Sequence, residues 1–281
     1  MYVLGILDGG GGDETVDRVV DGAIDQLAQA GRVGVIRYDA TIADGTHGAL
    51  TTGGDVTVDL GADGDWTASG TGLSVQQALD RLAPDCDYAV VVGVSSLRYP
   101  AVVVGDGPTA REHEHEHTPA DTLATIASAT ELGDIDLRER LEATDPHRTL
   151  GSLVERVKRS PHAPRAGAIA TFTGRVRQKD AEDDTPTQYL EFEKYEGVAD
   201  ERMAALEREL EARDGVFAVE LYHRTGVVED GEDIVFVVVL AGHREEAFRT
   251  VEDGINRLKD EVPLFKKEVT LEDEFWVHER S

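Results

Sequence analysis

A chain of 281 residues, 40% of them hydrophobic, is long enough to form two ordinary domains with packed cores. Its 56 acidic residues against 28 basic ones give a net charge of −28, which repels nucleic-acid phosphates and anionic lipids and argues against both as partners. No run approaches the roughly 18 apolar residues of a membrane span, and the N-terminus has no basic segment, so we expect a cytoplasmic protein.

The lysines and the single cysteine carry further information. All six lysines lie beyond residue 150, against 22 arginines in the whole chain. We expect such high acidity with scarce lysine in a salt-rich cytoplasm, where screening weakens self-repulsion. Cys86 cannot form an internal disulfide, and its neighbours Asp85 and Asp87 favour an unreactive thiol.

Apolar runs alternate with helical periodicity in the first half, which predicts an α/β domain with a mostly parallel sheet over residues 1–106. The segments Gly45–Gly54 and Gly61–Gly72 are rich in Gly, Thr and Asp and are predicted to be loops. The predicted strands are Tyr2–Leu7, Val33–Tyr38, Val56–Leu60, Tyr88–Val92 and Ala101–Val104, and the predicted helices are Glu14–Ala30 and Ser74–Leu82.

Residues 107–145 are predicted to be a linker with helical segments at Thr122–Ala129 and Asp136–Ala143. Three histidines, His113, His115 and His117, alternate with glutamates in this stretch. In extended form they would share one face and could bind a transition metal, but a solvated linker is the favoured interpretation, so no metal site is assigned. Asp145-Pro146 marks the predicted domain boundary, because proline disfavours helix in the residue before it.

The pattern of residues 146–281 predicts an α+β domain with a mainly antiparallel sheet. A polar loop is expected at Gln178–Pro186, and a turn at Glu229–Gly231 is expected to join two strands. The predicted helices are Thr149–Arg159, Ala199–Arg213 and His243–Val262, and the predicted strands are Gly167–Gly174, Tyr189–Glu193, Phe217–Arg224, Asp233–Leu240 and Phe265–Leu271.

Four patches of this half concentrate cations at the ends of predicted elements, where side chains can converge on a cleft. They are Phe172–Arg177, Gly242–Arg244, Leu258–Glu268 and Trp276–Arg280. Several cations at one rim would bind phosphate or carboxylate. The alternative is that they are ordinary surface cations paired with the abundant Asp and Glu. The second half contains no cysteine.

The runs GAIATFTGRVR, YHRTGVVEDGEDIVFVVVLAGHREEAF and LKDEVPLFKKE, in this order and spacing, resemble the catalytic subunit of molybdopterin synthase. The resemblance implies a sulfurtransferase that converts cyclic pyranopterin monophosphate to molybdopterin without a cofactor. It also implies a homodimer within a heterotetramer, in which each copy binds a small ubiquitin-like carrier whose C-terminal Gly-Gly thiocarboxylate delivers the sulfur. The rival interpretation is a non-catalytic scaffold that docks such a carrier.

The resemblance also assigns site residues. The catalytic lysines fall on Lys259 and Lys266, although strand alternation alone leaves open whether Lys266 or Lys267 points inward. Lys267 and Phe265 are assigned to the binding of the partner's tail. The residues assigned to substrate binding are Phe172, Arg177, His243, Arg244 and Arg280.

The first half, from LDGGGGDETVDR onward, resembles a P-loop domain of the molybdopterin-guanine dinucleotide biosynthesis protein B type. A P-loop needs a lysine for the phosphates and a Ser or Thr for magnesium. Here Asp13 and Glu14 follow the glycines, and the domain has no lysine. We therefore expect a degenerate domain that acts as a scaffold or docks a partner and does not hydrolyse nucleotides.

Overall fold

The computed structural model of the protein describes residues 1–38, 56–105, 122–179, 185–195 and 197–270, together with the backbone of Glu274–Val277. The chain divides into two compact units, Met1–Thr149 and Leu150–Ser281. In the described part of the chain, every helix is too short or too polar to cross a membrane. The predicted loop Gly45–Gly54 and the histidine run lie outside the described residues.

The first unit contains a parallel sheet with helices on both faces. The strands are β1 (Tyr2–Asp8), β2 (Val33–Arg37), β5 (Tyr88–Val92), β6 (Ala101–Val104) and β7 (Thr122–Ile126), and the helices are α1 (Asp13–Ala28), α2 (Val75–Leu82), α3 (Ala129–Leu132) and α4 (Leu137–Glu142). The five strands have the order β2-β5-β1-β6-β7. Leu4 and Ile6 face helices α1, α3 and α4, whereas Val3 faces the opposite layer with α2. The predicted α/β class with a parallel sheet is confirmed.

Two predictions for this unit were wrong. Thr122–Ile126, predicted to be helical, forms β7 because it pairs with β6 at the edge of the sheet. The expected linker therefore contributes a strand and two helices to the first unit from residue 122 onward. The predicted loop Gly61–Gly72 contains β4 (Trp66–Gly70), which pairs with β3 (Val56–Leu60) as an antiparallel hairpin.

The second unit contains two antiparallel sheets, which confirms its α+β class. The first has the order β10-β12-β8 and the second has the order β11-β9-β13-β14. The strands are β8 (Ala168–Arg175), β9 (Thr187–Lys194), β10 (Val216–His223), β11 (Gly226–Glu229), β12 (Asp233–Ala241), β13 (Leu264–Thr270) and β14 (Glu274–Val277), and the helices are α5 (Leu150–Lys158), α6 (Val198–Glu211) and α7 (Arg244–Glu261). The strands β11 and β14 add to those predicted.

The three-stranded sheet lies between two helical layers. Its central strand β12 is buried from Ile234 to Ala241, as its unbroken apolar run predicts. Helix α5 packs on one face, and α6 and α7 pack on the other. Helix α6 also covers the open edge of β10, where Glu207 accepts a hydrogen bond from the Leu221 amide at 2.8 Å and Glu211 accepts one from the Val219 amide at 2.9 Å. The two carboxylates thus satisfy an edge that would otherwise be open to pairing.

Candidate functional site

Helix α7 determines where most of the predicted site residues lie. It follows β12 after a two-residue connection and runs back along that strand, since Gly254 lies over the middle of β12, where an added Cβ would be 3.1 Å from Val237. The helix therefore begins at the carboxyl end of β12 and finishes near its amino end. Its 18 residues separate Arg244 from Lys259 by about 22 Å along the axis.

Arg177 and Lys259 belong to the amino end of β12. Strand β8 pairs Arg175 with Asp233, the first residue of β12, so the exposed Arg177 lies just beyond this end. Lys259 is exposed in the last turn of α7. That turn is fixed to α6 by two ion pairs between the helices, one of Arg202 with Glu261 and one of Arg257 with Glu209. Hydrogen bonds from Arg257 and Arg202 lower the pKa of Glu209.

Lys266 lies on the inner face of the four-stranded sheet. Strand β13 pairs Lys266 with Phe192 and Glu268 with Leu190, and directly paired residues share a face. Because Phe192 and Leu190 are buried, half-buried Lys266 is on the core side and Lys267 is on the outer side. The register thus decides between the two lysines, which strand alternation alone left open.

A chain of contacts connects Arg177 to Lys266. The carbonyl of Gln178, next to Arg177, accepts a hydrogen bond from the Thr187 amide at 2.8 Å. The Thr187 hydroxyl donates to Glu268, which lies two residues from Lys266 on the same strand face. The ring of Phe192, opposite Lys266, also packs edge-on against His223 at 4.7 Å, and His223 pairs with Val235 near the amino end of β12. Arg177 and Lys266 are therefore connected through these contacts, and Lys259 is on the end of α7 that lies toward the same end of β12.

His243 and Arg244 lie at the opposite end of β12 from Lys259. His243 precedes the first turn of α7, Arg244 begins it, and both are exposed at the carboxyl end of β12. The glycine before them is tied to the start of β10 by a hydrogen bond from its amide to the Gly215 carbonyl at 2.8 Å. Within one copy of the chain, the length of α7 therefore separates these two residues from Lys259.

The remaining predicted residues have different surroundings. Phe172 lies opposite Val237 in the middle of β12 and packs against the core. Phe265 is 48% exposed on the outer sheet face, where the Lys267 ammonium lies 4.0 Å from a carboxylate oxygen of Glu191. Arg280 lies outside the described residues.

Two residues that sequence reasoning missed lie at the amino end of β12. Burial lowers the pKa of His223 to about 4, and its Nδ1 hydrogen-bonds the Arg224 carbonyl at 2.7 Å, so the ring is neutral at neutral pH. Arg224 forms an ion pair with Glu232 at 3.1 Å, and its Nε is buried without a hydrogen-bond partner among the described residues. Their signal was the HR pair at the end of a predicted strand, but it was hidden because Phe192, whose ring packs against His223, is 31 residues earlier.

The glycine loop of the first unit has the shape of an anion site and is already filled. The amides of Gly10 and Gly11 each donate to one Asp8 oxygen at 2.8 Å, and the Gly12 amide donates to it at 3.3 Å. Successive amides in this arrangement bind anions, and here the anion is the chain's own carboxylate.

The thiol of Cys86, the cysteine of the first unit, is made less reactive by its surroundings. Burial, followed by the effects of Asp85 and Asp87, raises the pKa of the thiol, although Arg32 opposes the shift.

Comparison with known proteins gives matches for both units. The family model described as MoaE protein matches residues 144–261. A probable molybdopterin synthase from Haloferax volcanii is 49% identical over 280 residues, covering all of both chains. A solved molybdopterin synthase from Staphylococcus aureus is 31% identical and covers 41% of this chain and 82% of its own, with a TM-score of 0.38. A solved MobB homologue from Bacillus stearothermophilus is 16% identical and covers 51% of this chain and 100% of its own, with a TM-score of 0.36.

The MoaE match spans the first two runs that carry the resemblance and the first four residues of the third, so it includes Arg177 and Lys259 but ends before Lys266. The Haloferax relative extends the similarity over the first unit as well, so both units are shared with it. On this full-length identity, the chain belongs to the molybdopterin synthase family, the enzymes of molybdenum cofactor biosynthesis, and carries its MoaE match over residues 144–261.

Proposed function

We propose that the second unit transfers sulfur to cyclic pyranopterin monophosphate from the C-terminal thiocarboxylate of a small ubiquitin-like carrier, forming molybdopterin. In each transfer, a carbon–sulfur bond forms on the pterin side chain, where an oxygen substituent leaves. The carrier's acyl carbon–sulfur bond breaks, and water takes the acyl group to leave a carboxylate. Two such transfers supply the two sulfurs of the dithiolene.

The observation that carries this proposal is the grouping of Arg177, Lys259 and Lys266 at the amino end of β12. In a chain with twice as many acids as bases, three cations lie toward this end, on the segment after β8, on the last turn of α7 and on β13. A guanidinium suits a phosphate through paired hydrogen bonds, so Arg177 is assigned to the substrate phosphate. The lysines add positive charge beside that phosphate and are assigned to proton transfer and to stabilising the oxyanion that develops at the carrier's acyl carbon.

The absence of cysteine from the second unit supports delivery of sulfur by a partner. Phe265 and Lys267 lie on the outer face of β13, one residue either side of Lys266. An exposed ring and an ammonium at this position suit a flexible tail ending in Gly-Gly and a carboxylate. Lys266 faces the opposite side of the sheet, so the tail's terminal group would reach it only by passing the end of β13.

His243 and Arg244 enter the proposal through a second copy of the chain. Because α7 holds them about 22 Å from Lys259, they would join the lysines only if a homodimer placed the carboxyl end of β12 in one copy against the amino end in the other. To test this, a His243→Ala/Arg244→Ala copy is paired with a Lys266→Ala copy. A shared site predicts about half of wild-type activity, since one of two sites is intact, whereas sites within single chains predict none.

The main test mixes the full chain with a thiocarboxylated carrier and the pterin precursor, and detects the dithiolene product by mass spectrometry. Sulfur transfer predicts product that increases with the amount of thiocarboxylate. The scaffold alternative predicts carrier binding with no product. Carrier affinity is measured on the same sample, so that absence of product is not confused with absence of binding.

A further inference from the structure

A second lysine shares the inner sheet face with Lys266. Lys194 is the last residue of β9 and pairs with Leu264, while Phe192, two residues earlier, pairs with Lys266. Lys194 and Lys266 are therefore diagonal neighbours on the same face of adjacent strands. Such positions are roughly 7–8 Å apart, which is within reach of two long side chains.

The Lys194 side chain is largely buried and is held in place by an ion pair. Only 15% of it is exposed, and its ammonium lies 3.3 Å from an oxygen of Asp200 in the first turn of α6. Asp200 itself is 54% exposed, so solvent weakens this ion pair. A dianion arriving at the same face can compete with Asp200 for the ammonium.

The choice of lysine at this position is unusual for the chain. The ion pairs from α6 and the residues just after it to α7 use arginine, at Arg202, Arg213 and Arg257, whereas the ion pair between β9 and α6 uses lysine. Only six lysines occur beside 22 arginines, and one of the six is diagonal to Lys266. A compact ammonium reaches a phosphate as a point charge where a planar guanidinium would need more room. The competing explanation is that Lys194 only pins the start of α6 through Asp200.

We propose that Lys194 binds the phosphate of the substrate together with Lys266, with Asp200 holding the ammonium in position until a phosphate dianion replaces it. This inference rests on the proposed function for the location of the site. It adds a residue to the site and predicts that an acidic neighbour, Asp200, opposes substrate binding.

The test measures binding of inorganic phosphate to the full chain by phosphorus NMR, for Lys194→Gln, Lys194→Arg, Asp200→Asn and Lys266→Gln. Lys158→Gln is the matched control, since Lys158 also pairs with a carboxylate, that of Glu155 at 2.7 Å, but on α5. We expect Lys194→Gln to weaken phosphate binding about tenfold, as for loss of one charge-assisted hydrogen bond. Lys194→Arg should retain part of the affinity, and Asp200→Asn should tighten binding, which a purely structural ion pair would not do. Circular dichroism checks that each variant is folded.

Glycylglycine, which carries one carboxylate like the end of the carrier tail, is titrated alongside and should lose less affinity than phosphate. If Lys194→Gln behaves like Lys158→Gln while Lys266→Gln weakens binding, the inference is overturned and the proposed site stands. If glycylglycine alone is weakened, Lys194 serves the tail and the inference is also overturned. If neither Lys194→Gln nor Lys266→Gln changes phosphate affinity, the proposed site is wrong as well.

Discussion

The glycine loop of the first unit and the amino end of β12 in the second are both suited to anions, but the groups that attract the anion differ between them. In the loop, three amides converge on the carboxylate of Asp8, and the helix that follows opens with Asp13 and Glu14. At the amino end of β12, the positive groups are the side chains of Arg177, Lys259 and Lys266. A backbone cradle is neutral and can be filled by the chain itself, whereas fixed side-chain charges in a strongly acidic protein favour an anion from outside.

The largest expected effect is on chemistry at the amino end of β12. Lys266→Ala and Lys259→Ala should each lower the rate of dithiolene formation by about 10²-fold or more, as expected when a group that stabilises developing charge is removed. The measurement is single-turnover product formation, with Lys158→Ala as control. If both variants fold and retain wild-type rates, the assignment of these two lysines to catalysis is wrong.

A comparison of Leu258→Ala with Lys259→Ala distinguishes residues that stabilise this end of the second unit from residues that act in catalysis. Leu258 is 1% exposed and lies next to Lys259, so its truncation should cost about 2–5 kcal/mol of the second unit's free energy of unfolding. Urea denaturation measures this loss. Lys259→Ala, by contrast, should leave stability within about 0.5 kcal/mol, since its side chain is exposed. A large loss of stability in Lys259→Ala would mean that this lysine is structural.

A third prediction contrasts Glu207, a part-buried carboxylate of the second unit, with the exposed Asp8 of the first. Burial raises the pKa of Glu207 to about 7 from its ordinary value of 4.5, despite the opposing hydrogen bond from Leu221. Between these pH values the folded state binds more protons than the unfolded state, so stability should fall as pH rises from about 4.5 to about 7 and stay low above that.

Glu207→Gln should abolish this loss and stabilise the second unit above pH 7 by up to roughly 2–3 kcal/mol. The measurement is the free energy of unfolding at pH 5 and pH 8. The control is Glu211→Gln, since Glu211 of α6 accepts a hydrogen bond from the same strand edge. A variant no more stable than wild type at pH 8 would contradict the assignment.

The smallest effect is expected in the glycine loop. Asp8→Ala removes the acceptor of three amides at an exposed site and should cost about 1 kcal/mol in the first unit, while Asp8→Asn, which keeps an oxygen, should cost less. Neither variant should hydrolyse GTP or ATP, because residues 1–150 contain no lysine. Wild-type protein that bound a magnesium nucleotide at micromolar concentration in calorimetry would overturn the contrast between the two regions.

The elements predicted well are those whose local pattern and tertiary surroundings agree. Strand β12 is apolar throughout and is buried, and α2 begins at Ser74 with a reciprocal hydrogen-bonded cap to Gln77. The strand Thr122–Ile126 was missed because Thr, Leu and Ala fit either period, and only the free edge of β6 decides the outcome. Strand β4 was missed because a Gly- and Asp-rich turn, Gly61–Asp65, dominates its surroundings.

The candidate site shows the same division. The motif runs point to Lys259 and Lys266 from the sequence, but the inward direction of Lys266 follows only from its pairing with Phe192, 74 residues earlier. The separation of His243 from Lys259 could not be seen either, since sequence patches reveal element ends without saying which ends meet. Lys194 was noted only as one of six lysines, because its partner Asp200 and its diagonal neighbour are properties of the sheet.

The most direct test of the central claim follows labelled sulfur from the carrier into the pterin. The full chain is mixed with the pterin precursor and a carrier whose thiocarboxylate contains sulfur-34, and the dithiolene product is weighed by mass spectrometry. The account predicts product carrying two labelled sulfurs with the wild type, and carrier binding without product for Lys266→Ala. Unlabelled product, or labelled product formed equally well by Lys266→Ala, would contradict it.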